Sequence, residues 1–327
     1  MYQKLKTKVT RSITNYKLGF EIIFLMKKLL KRLPQPDYDF PISIHLEVSS
    51  LCNLSCIHCP PQMVELKALQ RKYEHMDIAL FDKCMDEIDQ WGDRHLGLHE
   101  DGEPLLHPKI IYILDRVKRN NNHIVYLTTN AHRLDEEISN SIIKNKIDII
   151  NFSIGAYSAE FYEKVRGKGF DKVLKNIHSF LDLCKKSNWK TRIKMQIIDL
   201  PEFEEMQNEI INFKKYWKRY DVELDIWKKL TWSVLDGKQS PVRRYPCFSL
   251  WQYLFVNSNG VVSPCCVDWR HELAIGNAYE KSLKDIWLDQ PLKNLRQYHI
   301  EGREKEIPLC KNCNYWSWLP KINTYRL

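Results

Sequence analysis

The chain has 327 residues, enough to bury a large core in one large domain or two unequal ones. Apolar residues make up 44% of it and glycine and proline are few, which excludes a disordered protein. No apolar run reaches the roughly 18 residues that a membrane span needs, and no secretory signal is evident. Ten cysteines in such a chain favour metal ligation in the reducing cytoplasm over a disulfide framework.

The net charge of +9 is concentrated in the first 35 residues, which hold nine Lys or Arg and one acid, Glu21. The rest of the chain is close to neutral and has no basic stripe, which argues against nucleic acid as a partner. Apolar residues from Leu18 to Leu33 recur at helical spacing, and Pro34 and Pro36 end the pattern. Residues 1–36 are therefore predicted to form a basic amphipathic helix. It either packs on the following domain or makes a peripheral contact with an anionic membrane through residues 1–33.

After Phe40, strand-like and helical patterns alternate. The strand-like runs are 42–48, 95–100, 123–128, 148–154, 191–198 and 222–228. The amphipathic segments between them are 79–91, 108–120, 134–146, 170–187 and 202–219. Six such units predict an α/β fold, a parallel sheet with helices outside. Since six strands are too few for a closed eight-stranded barrel, we expect a partial (β/α)6 barrel over residues 37–230, with its site at the carboxyl ends of the strands.

The loop after the first predicted strand holds Cys52, Cys56 and Cys59, a C-x3-C-x2-C run. Three thiolates at this spacing can hold three corners of a [4Fe–4S] cube and leave the fourth iron open to a cofactor. A zinc site is the alternative, although zinc motifs favour two paired C-x2-C units. A non-enzymatic iron–sulfur electron carrier is a further alternative, but carriers close every corner with protein ligands.

This cysteine spacing resembles that of the radical S-adenosylmethionine (SAM) superfamily. The resemblance implies that SAM chelates the open iron and is cleaved to a 5′-deoxyadenosyl radical, with a flavodoxin- or ferredoxin-type protein as electron donor. At the end of the second strand, Asp101-Gly102-Glu103 looks like the family's Gly-Gly-Glu motif, with Asp101 in place of the first glycine. Gly102 and Glu103 are therefore predicted to contact the SAM amino group, with the glycine allowing close backbone approach.

The same resemblance implies further cofactor-binding residues. Ser153, which ends strand four, and Arg166, after the next short helix, match the serine and arginine that hold the SAM carboxylate in anaerobic sulfatase-maturing enzymes. A strand-end serine and a solvated arginine would be the alternative. Gln196 on strand five is predicted to reach the ribose, and His58 stands where the family often has an aromatic residue near the adenine. The Thr128–Asn130 segment is similar to a Thr-Asn-Gly element and is expected to be structural.

Beyond residue 230 the segments become short and rich in cysteine and tryptophan, which predicts a second module over residues 231–327. Its cysteines are Cys247, Cys265, Cys266, Cys310 and Cys313. The pattern resembles the SPASM auxiliary-cluster domain in its single-cluster "twitch" form, over about residues 240–318. The resemblance implies a second [4Fe–4S] cluster with four protein ligands, Cys247, Cys265, Cys310 and Cys313. A structural zinc knuckle is the alternative.

The reaction is predicted from the same resemblance, which extends to cyclitol dehydrogenases and radical SAM epimerases. It implies oxidation or epimerisation at a carbinol carbon of a sugar, cyclitol or nucleotide-linked sugar. Cys266 would be the hydrogen donor of an epimerase, a cluster ligand or an inert thiol. A peptide-modifying maturase is the runner-up, although no separate peptide-binding domain is expected before the barrel. Five tryptophans could stack on sugar rings or pack in the core, namely Trp227, Trp232, Trp251, Trp269 and Trp287.

Overall fold

The structure is a computed structural model that describes residues 38–60, 72–120, 122–187, 190–230, 246–313 and 315–317. Residues 39–327 belong to one compact unit. The predicted N-terminal helix lies outside the described residues, as does Trp232. Within the described ranges, no helix is both long and apolar enough to cross a membrane.

A sheet of nine strands forms the frame of the molecule. The strands are β1 (Ser43–Leu46), β2 (His95–Gly97), β3 (Ile124–Thr129), β4 (Ile149–Ser153), β5 (Arg192–Asp199), β6 (Glu223–Lys228), β7 (Tyr253–Val256), β8 (Val261–Ser263) and β9 (Gly276–Asn277). Their order across the sheet is β6-β5-β4-β3-β2-β1-β7-β8-β9. Strands β1 to β7 pair in parallel, and β8 and β9 are antiparallel additions. Strands β6 and β9 are the two edges of the described sheet, which confirms the predicted partial barrel.

Helices follow most of these strands. The α-helices are α1 (Ile78–Gln90), α2 (Ile110–Arg116), α3 (Glu136–Lys144), α4 (Ala159–Val165), α5 (Phe170–Lys186), α6 (Met206–Trp217), α7 (Ser249–Gln252), α8 (Leu283–Leu288), α9 (Gln290–Glu301) and α10 (Pro308–Lys311). Short 3₁₀ helices span Pro104–Leu106, Glu304–Glu306 and Tyr315–Ser317. Helices α1, α3 and α4 begin where Asp77, Asp135 and Ser158 accept a backbone N–H of the first turn. Such capping satisfies donors that a helix start leaves unpaired.

The central strands have one apolar and one polar face. Phe152 of β4 packs edge-to-face against Phe180 of α5, with ring centroids 5.6 Å apart. Met195 of β5 is likewise fully buried in the core. Because side chains alternate along a strand, Asn151 and Lys194 lie on the opposite, concave face. The helices therefore cover the apolar face, and polar side chains line the interior of the partial barrel.

The C-terminal segment continues the sheet of the barrel. Strand β7 pairs with β1 from Ser43 opposite Tyr253 to Leu46 opposite Val256. Just after β1, the fully buried carboxylate of Glu47 accepts the backbone N–H and the hydroxyl of Ser258, both at 3.0 Å. One continuous sheet and a buried carboxylate thus join the two segments, and the boundaries near residues 36 and 230 stay predictions.

The tryptophans of the C-terminal segment are core residues. Trp251, Trp269 and Trp287 are 4%, 2% and 0% exposed. Their rings therefore contribute to packing, and they cannot stack on a sugar in this arrangement. Trp227 differs because it lies on edge strand β6 and is partly exposed.

Candidate cluster and cofactor site

The first three predicted cluster ligands lie in a compact loop directly after β1. The loop turns at the N–H of Cys59, which donates to the carbonyl of Cys56 at 3.0 Å. It is tied to the end of α4 by the N–H of Ile57, which donates to the carbonyl of Val165 at 3.0 Å. Burial raises the pKa of Cys52 to about 11 and that of Cys59 well above its ordinary value. Without a metal the thiols would stay protonated, so iron binding must displace their protons.

Arg166 places a buried guanidinium beside this loop. The residue is 5% exposed, and its Nη1 donates to the hydroxyl of Ser153 at 3.1 Å. Burial opposes the charge, but Cys56, Tyr162 and Cys52 nearby outweigh it and raise the pKa of Arg166. The Nε of Arg166 is buried without a hydrogen-bond partner among the described residues. A buried cation with a spare donor fits a carboxylate, the group that SAM would present here.

Gly155 makes room for this arginine, a requirement that sequence reasoning missed. Its φ of 77° lies in the left-handed region, which side chains with a Cβ rarely adopt. A Cβ on Gly155 would also stand 2.8 Å from Cδ and 2.9 Å from Nη1 of Arg166. This glycine, the second residue after β4, is thus needed both for the chain path and for the guanidinium.

The two residues predicted to bind SAM, Gly102 and Glu103, also have structural roles within the protein. A Cβ on Gly102 would lie 2.2 Å from the carbonyl oxygen of Ser49, so the glycine is needed for backbone packing beside the cysteine loop. The carboxylate of Glu103 is 2% exposed and has three protein donors. They are the Thr129 hydroxyl at 2.7 Å, the Asn130 N–H at 2.7 Å and the Leu105 N–H at 3.1 Å. Contact of this pair with SAM stays a prediction.

Asn130 connects the end of strand β3 to the cysteine loop. The sequence indicated only that this segment is structural and did not indicate this contact. Its side-chain amide donates to Oδ1 of Asn53 at 3.0 Å and lies 3.9 Å from Sγ of Cys52. Because the Asn130 N–H also binds Glu103, the end of β3 braces the loop from two directions. An amide N–H near a cluster sulfur is one of the contacts that tune reduction potential.

His58 and Gln196 lie near this site. Burial, followed by the charges of Arg166 and Lys229, lowers the pKa of His58 to about 3, so its ring is neutral. The carbonyl of Gln196 accepts the N–H of Gly155 at 3.0 Å, and its side chain lies on the concave face opposite Ser153. Adenine contact by His58 and ribose contact by Gln196 stay predictions.

The C-terminal cysteines form a second thiol group. Cys247 packs in a small buried cluster with Val267, Tyr315 and Trp316, against which Cys265, Cys266 and Cys313 also lie. Two of these sulfurs accept a backbone N–H two residues on. The sulfur of Cys265 accepts that of Val267 at 3.4 Å, and the sulfur of Cys313 that of Tyr315 at 3.3 Å. Such N–H donors stabilise a thiolate ligand.

Cys310 and Cys266 complete this group in different ways. The carbonyl of Cys310 accepts the N–H of Cys313 at 3.3 Å, so these two residues are held in one turn. Cys266 packs against the small buried cluster that contains Cys247 and Tyr315. The contact with Cys266 is the largest cause, ahead of burial, that raises the pKa of Cys265.

In the described part of the chain, no three or more His, Cys, Asp or Glu side chains are placed to hold one metal ion. A [4Fe–4S] cube makes a different demand, because each thiolate binds its own iron at a separate corner.

Comparison with known proteins assigns the chain to a family. Residues 46–213 match the radical SAM superfamily, and residues 247–314 match the iron–sulfur cluster-binding domain SPASM. The first match alone covers just over half of the chain. This protein belongs to the radical SAM superfamily. Its cofactors are accordingly SAM and two [4Fe–4S] clusters.

The radical SAM enzyme has relatives that cover nearly its whole compact unit. The S-adenosyl-L-methionine-dependent 2-deoxy-scyllo-inosamine dehydrogenase of Niallia circulans is 22% identical over 282 residues, 83% of this chain and 92% of that protein. The crystal structure of BtrN in complex with AdoMet and 2-DOIA matches with a TM-score of 0.57 at 19% identity, covering 84% and 93% of the chains. Native anSMEcpe with bound AdoMet and Cp18Cys peptide matches with a TM-score of 0.59 at 16% identity, covering 86% and 87%. At these identities the structures support the fold.

Proposed function

We propose that this enzyme abstracts hydrogen from a carbinol carbon of a sugar, cyclitol or nucleotide-linked sugar, and thereby oxidises or epimerises it. The observation that carries the proposal is the position of the second thiol group. Cys247 precedes β7 and Cys265 follows β8, and β7 pairs with β1, which leads into the loop of Cys52, Cys56 and Cys59. A redox centre fixed to the same sheet suits the removal of an electron from a substrate radical in the barrel. The similarity to a cyclitol dehydrogenase over most of both chains supports this choice.

The protein side chains supply position and protection. When bound, SAM and its cluster supply the radical that removes the hydrogen atom, and the auxiliary cluster can accept an electron. Arg166 and Ser153 would hold the SAM carboxylate, because their hydrogen bond directs a buried guanidinium beside the cysteine loop. Glu103 would keep that loop aligned with β3, and the buried surroundings would keep water from the radical.

Cys266 decides between the two outcomes. In an epimerase, its S–H would give a hydrogen atom to the substrate carbon from the opposite face, and the thiyl radical left behind would need one electron, which the auxiliary cluster could supply, and one solvent proton to return to the thiol. In a dehydrogenase, the hydroxyl proton and one electron leave instead, and Cys266 has no chemical role.

Product analysis tests the proposal. Anaerobically reconstituted enzyme would be reduced and incubated with SAM and a panel of sugars, cyclitols and nucleotide-linked sugars in D2O. A product lighter by two hydrogens indicates oxidation, and deuterium at an inverted carbon indicates epimerisation. In an epimerase, Cys266→Ala should still form 5′-deoxyadenosine but no inverted product, whereas Cys184→Ala, in α5, should behave as wild type. Loss of the auxiliary cluster in Cys266→Ala would instead make Cys266 a ligand.

A peptide-modifying maturase is the second candidate. The observation that favours it is the fold shared with anSMEcpe, whose structure contains a Cp18Cys peptide. The same product analysis with peptides in place of sugars separates the two, since turnover of a peptide and of none of the sugars would overturn the carbinol proposal. For either reaction we propose a flavodoxin- or ferredoxin-type electron donor, which anaerobic reduction by purified donors would test.

A further inference from the structure

The concave face of the sheet carries a polar patch that no cofactor contact accounts for. It is formed by Asn151 of β4, Lys194 of β5 and Asp225 of β6. The register places Asn151 opposite Lys194, and Asp225 opposite Gln196, the predicted ribose contact. All three side chains share the face of Ser153, whose hydroxyl binds Arg166. Asn151 and Lys194 therefore lie one layer below the proposed SAM carboxylate site, and Asp225 lies in the same layer as Ser153.

A buried charge pair forms the centre of the patch. Lys194 is 6% exposed, and its Nζ lies 3.9 Å from Oδ2 of Asp225, whose side chain is 27% exposed. Burial lowers the pKa of Lys194, while Asp225 and Glu223 act to raise it. Taking a lysine out of water is costly, and the neighbouring carboxylate offsets part of this cost. Lys194 and Asp225 thus place a hydrogen-bond donor and an acceptor side by side on the concave face.

Asn151 beside the pair has an unmet acceptor. The residue is 1% exposed, and its Oδ1 is buried without a hydrogen-bond partner in the parts of the chain that the structure describes. Its Nδ2 makes only a long contact, 3.5 Å, with the hydroxyl of Thr128. Buried polar atoms are rarely left unpaired unless a ligand or water meets them. A hydroxyl group that donates to Oδ1 of Asn151 would satisfy this atom.

We propose that Asn151, Lys194 and Asp225 form a subsite for two neighbouring hydroxyl groups of an uncharged polyol ring. One hydroxyl would accept from Lys194 and donate to Asn151, and the other would donate to Asp225. The two charges balance, so the pair has no net attraction for an anionic or a cationic ligand, and the hydroxyls of an uncharged ring match its donor and its acceptor. Trp227, on the same face of β6, offers a ring for the apolar side of a sugar. This subsite rests on the proposed function and narrows its substrate class.

Ligand binding measured apart from turnover tests the subsite. Equilibrium dialysis would use radiolabelled myo-inositol, glucose and UDP-glucose with the SAM-loaded holoenzyme. We expect at least one probe to bind wild type, and Lys194→Met and Asp225→Asn each to weaken it about 10- to 100-fold, the loss typical of hydrogen bonds to charged groups. Lys214→Met, at an exposed position of α6, should bind as wild type. Iron content and thermal unfolding would verify that each variant is folded.

The outcomes distinguish failure of the polyol subsite from failure of the proposed carbinol function. A probe that binds wild type and both patch variants equally would overturn the subsite and leave the carbinol proposal standing. Failure of all three probes to bind, together with binding of a peptide, would overturn both. An Asn151→Leu variant tests the subsite independently of the charge pair, which it leaves intact. It should weaken probe binding by about 10-fold.

Discussion

Substituting Gly155 by Ala tests whether the position of Arg166 governs SAM binding. The added Cβ would stand 2.8 Å from Cδ and 2.9 Å from Nη1 of the guanidinium side chain, inside contact distance. Because Arg166 is buried, its side chain must shift, and its bond to Ser153 at 3.1 Å should break or lengthen. The variant therefore moves the predicted carboxylate clamp without removing its charge.

Gly92→Ala provides a matched control. Gly92 has a φ of 72°, close to the 77° of Gly155, but a Cβ there would meet nothing within 4 Å. Both variants should lose about 1–2 kcal/mol of stability from the left-handed backbone. Gly155→Ala should lose a further ~1–3 kcal/mol from overpacking against Arg166. The difference between the two melting temperatures measures the clash alone.

SAM affinity supplies the decisive measurement. Equilibrium dialysis of SAM against anaerobically reconstituted protein should show binding weakened about 10- to 100-fold in Gly155→Ala, since a charge-assisted contact would be misplaced. Gly92→Ala should bind SAM as wild type does. Wild-type affinity in a folded, iron-loaded Gly155→Ala variant would refute the assignment of Arg166 to the SAM carboxylate.

Three further predictions concern the clusters, pH and the N-terminal segment. Replacing Cys52, Cys56 and Cys59 by Ala should lower the iron content from about eight to about four per chain and abolish SAM cleavage; retained cleavage would contradict the open-site cluster. Burial lowers the pKa of His45 to about 4. Below pH 6.5 the unfolded chain takes up a proton at this histidine and the folded chain does not, so the free energy of unfolding should fall by about 3 kcal/mol as the pH drops to about 4. In urea unfolding, the free energy of unfolding of His45→Gln should decline less steeply than that of wild type between pH 6.5 and 4. A decline as steep as in wild type would exclude His45 as the cause. Deleting residues 1–33 should leave both clusters in place. Liposome binding by the full-length protein that needs anionic lipid and weakens with salt would favour the membrane interpretation. Loss of folding in the deletion variant would favour packing of the helix on the following domain.

Local patterns were enough to predict the barrel strands. Runs such as 148–154 and 191–198 became β4 and β5 with shifts of one residue at their ends, because apolar residues facing the helices impose a period that a sequence displays directly. The cysteine loop was equally easy to recognise, since its three cysteines lie within eight residues. Helix ends were less accurate, as with 108–120, which became Ile110–Arg116.

Contacts between distant segments could not be read in the same way. The bond from Ser258 to Glu47 spans 211 residues, and no local pattern marks either partner. The parallel pairing of β7 with β1 was hidden for the same reason. By contrast, Lys194 and Gln196 alternate with the apolar Met195 and Ile197, a period-two signal that could have indicated a polar inner face.

The pairing of β7 with β1 also bears on how the protein could be divided. Without residues 246–317, β1 would become an edge strand, and its backbone donors and acceptors from Ser43 to Leu46 would face solvent. Glu47 would lose both contacts from Ser258 at the same time. An exposed apolar edge is a template for pairing with other chains, so a barrel expressed alone should self-associate. The auxiliary segment is thus a covering for the first strand as well as a holder of cysteines, and gain or loss of such a segment in a related protein would require a new edge to be protected.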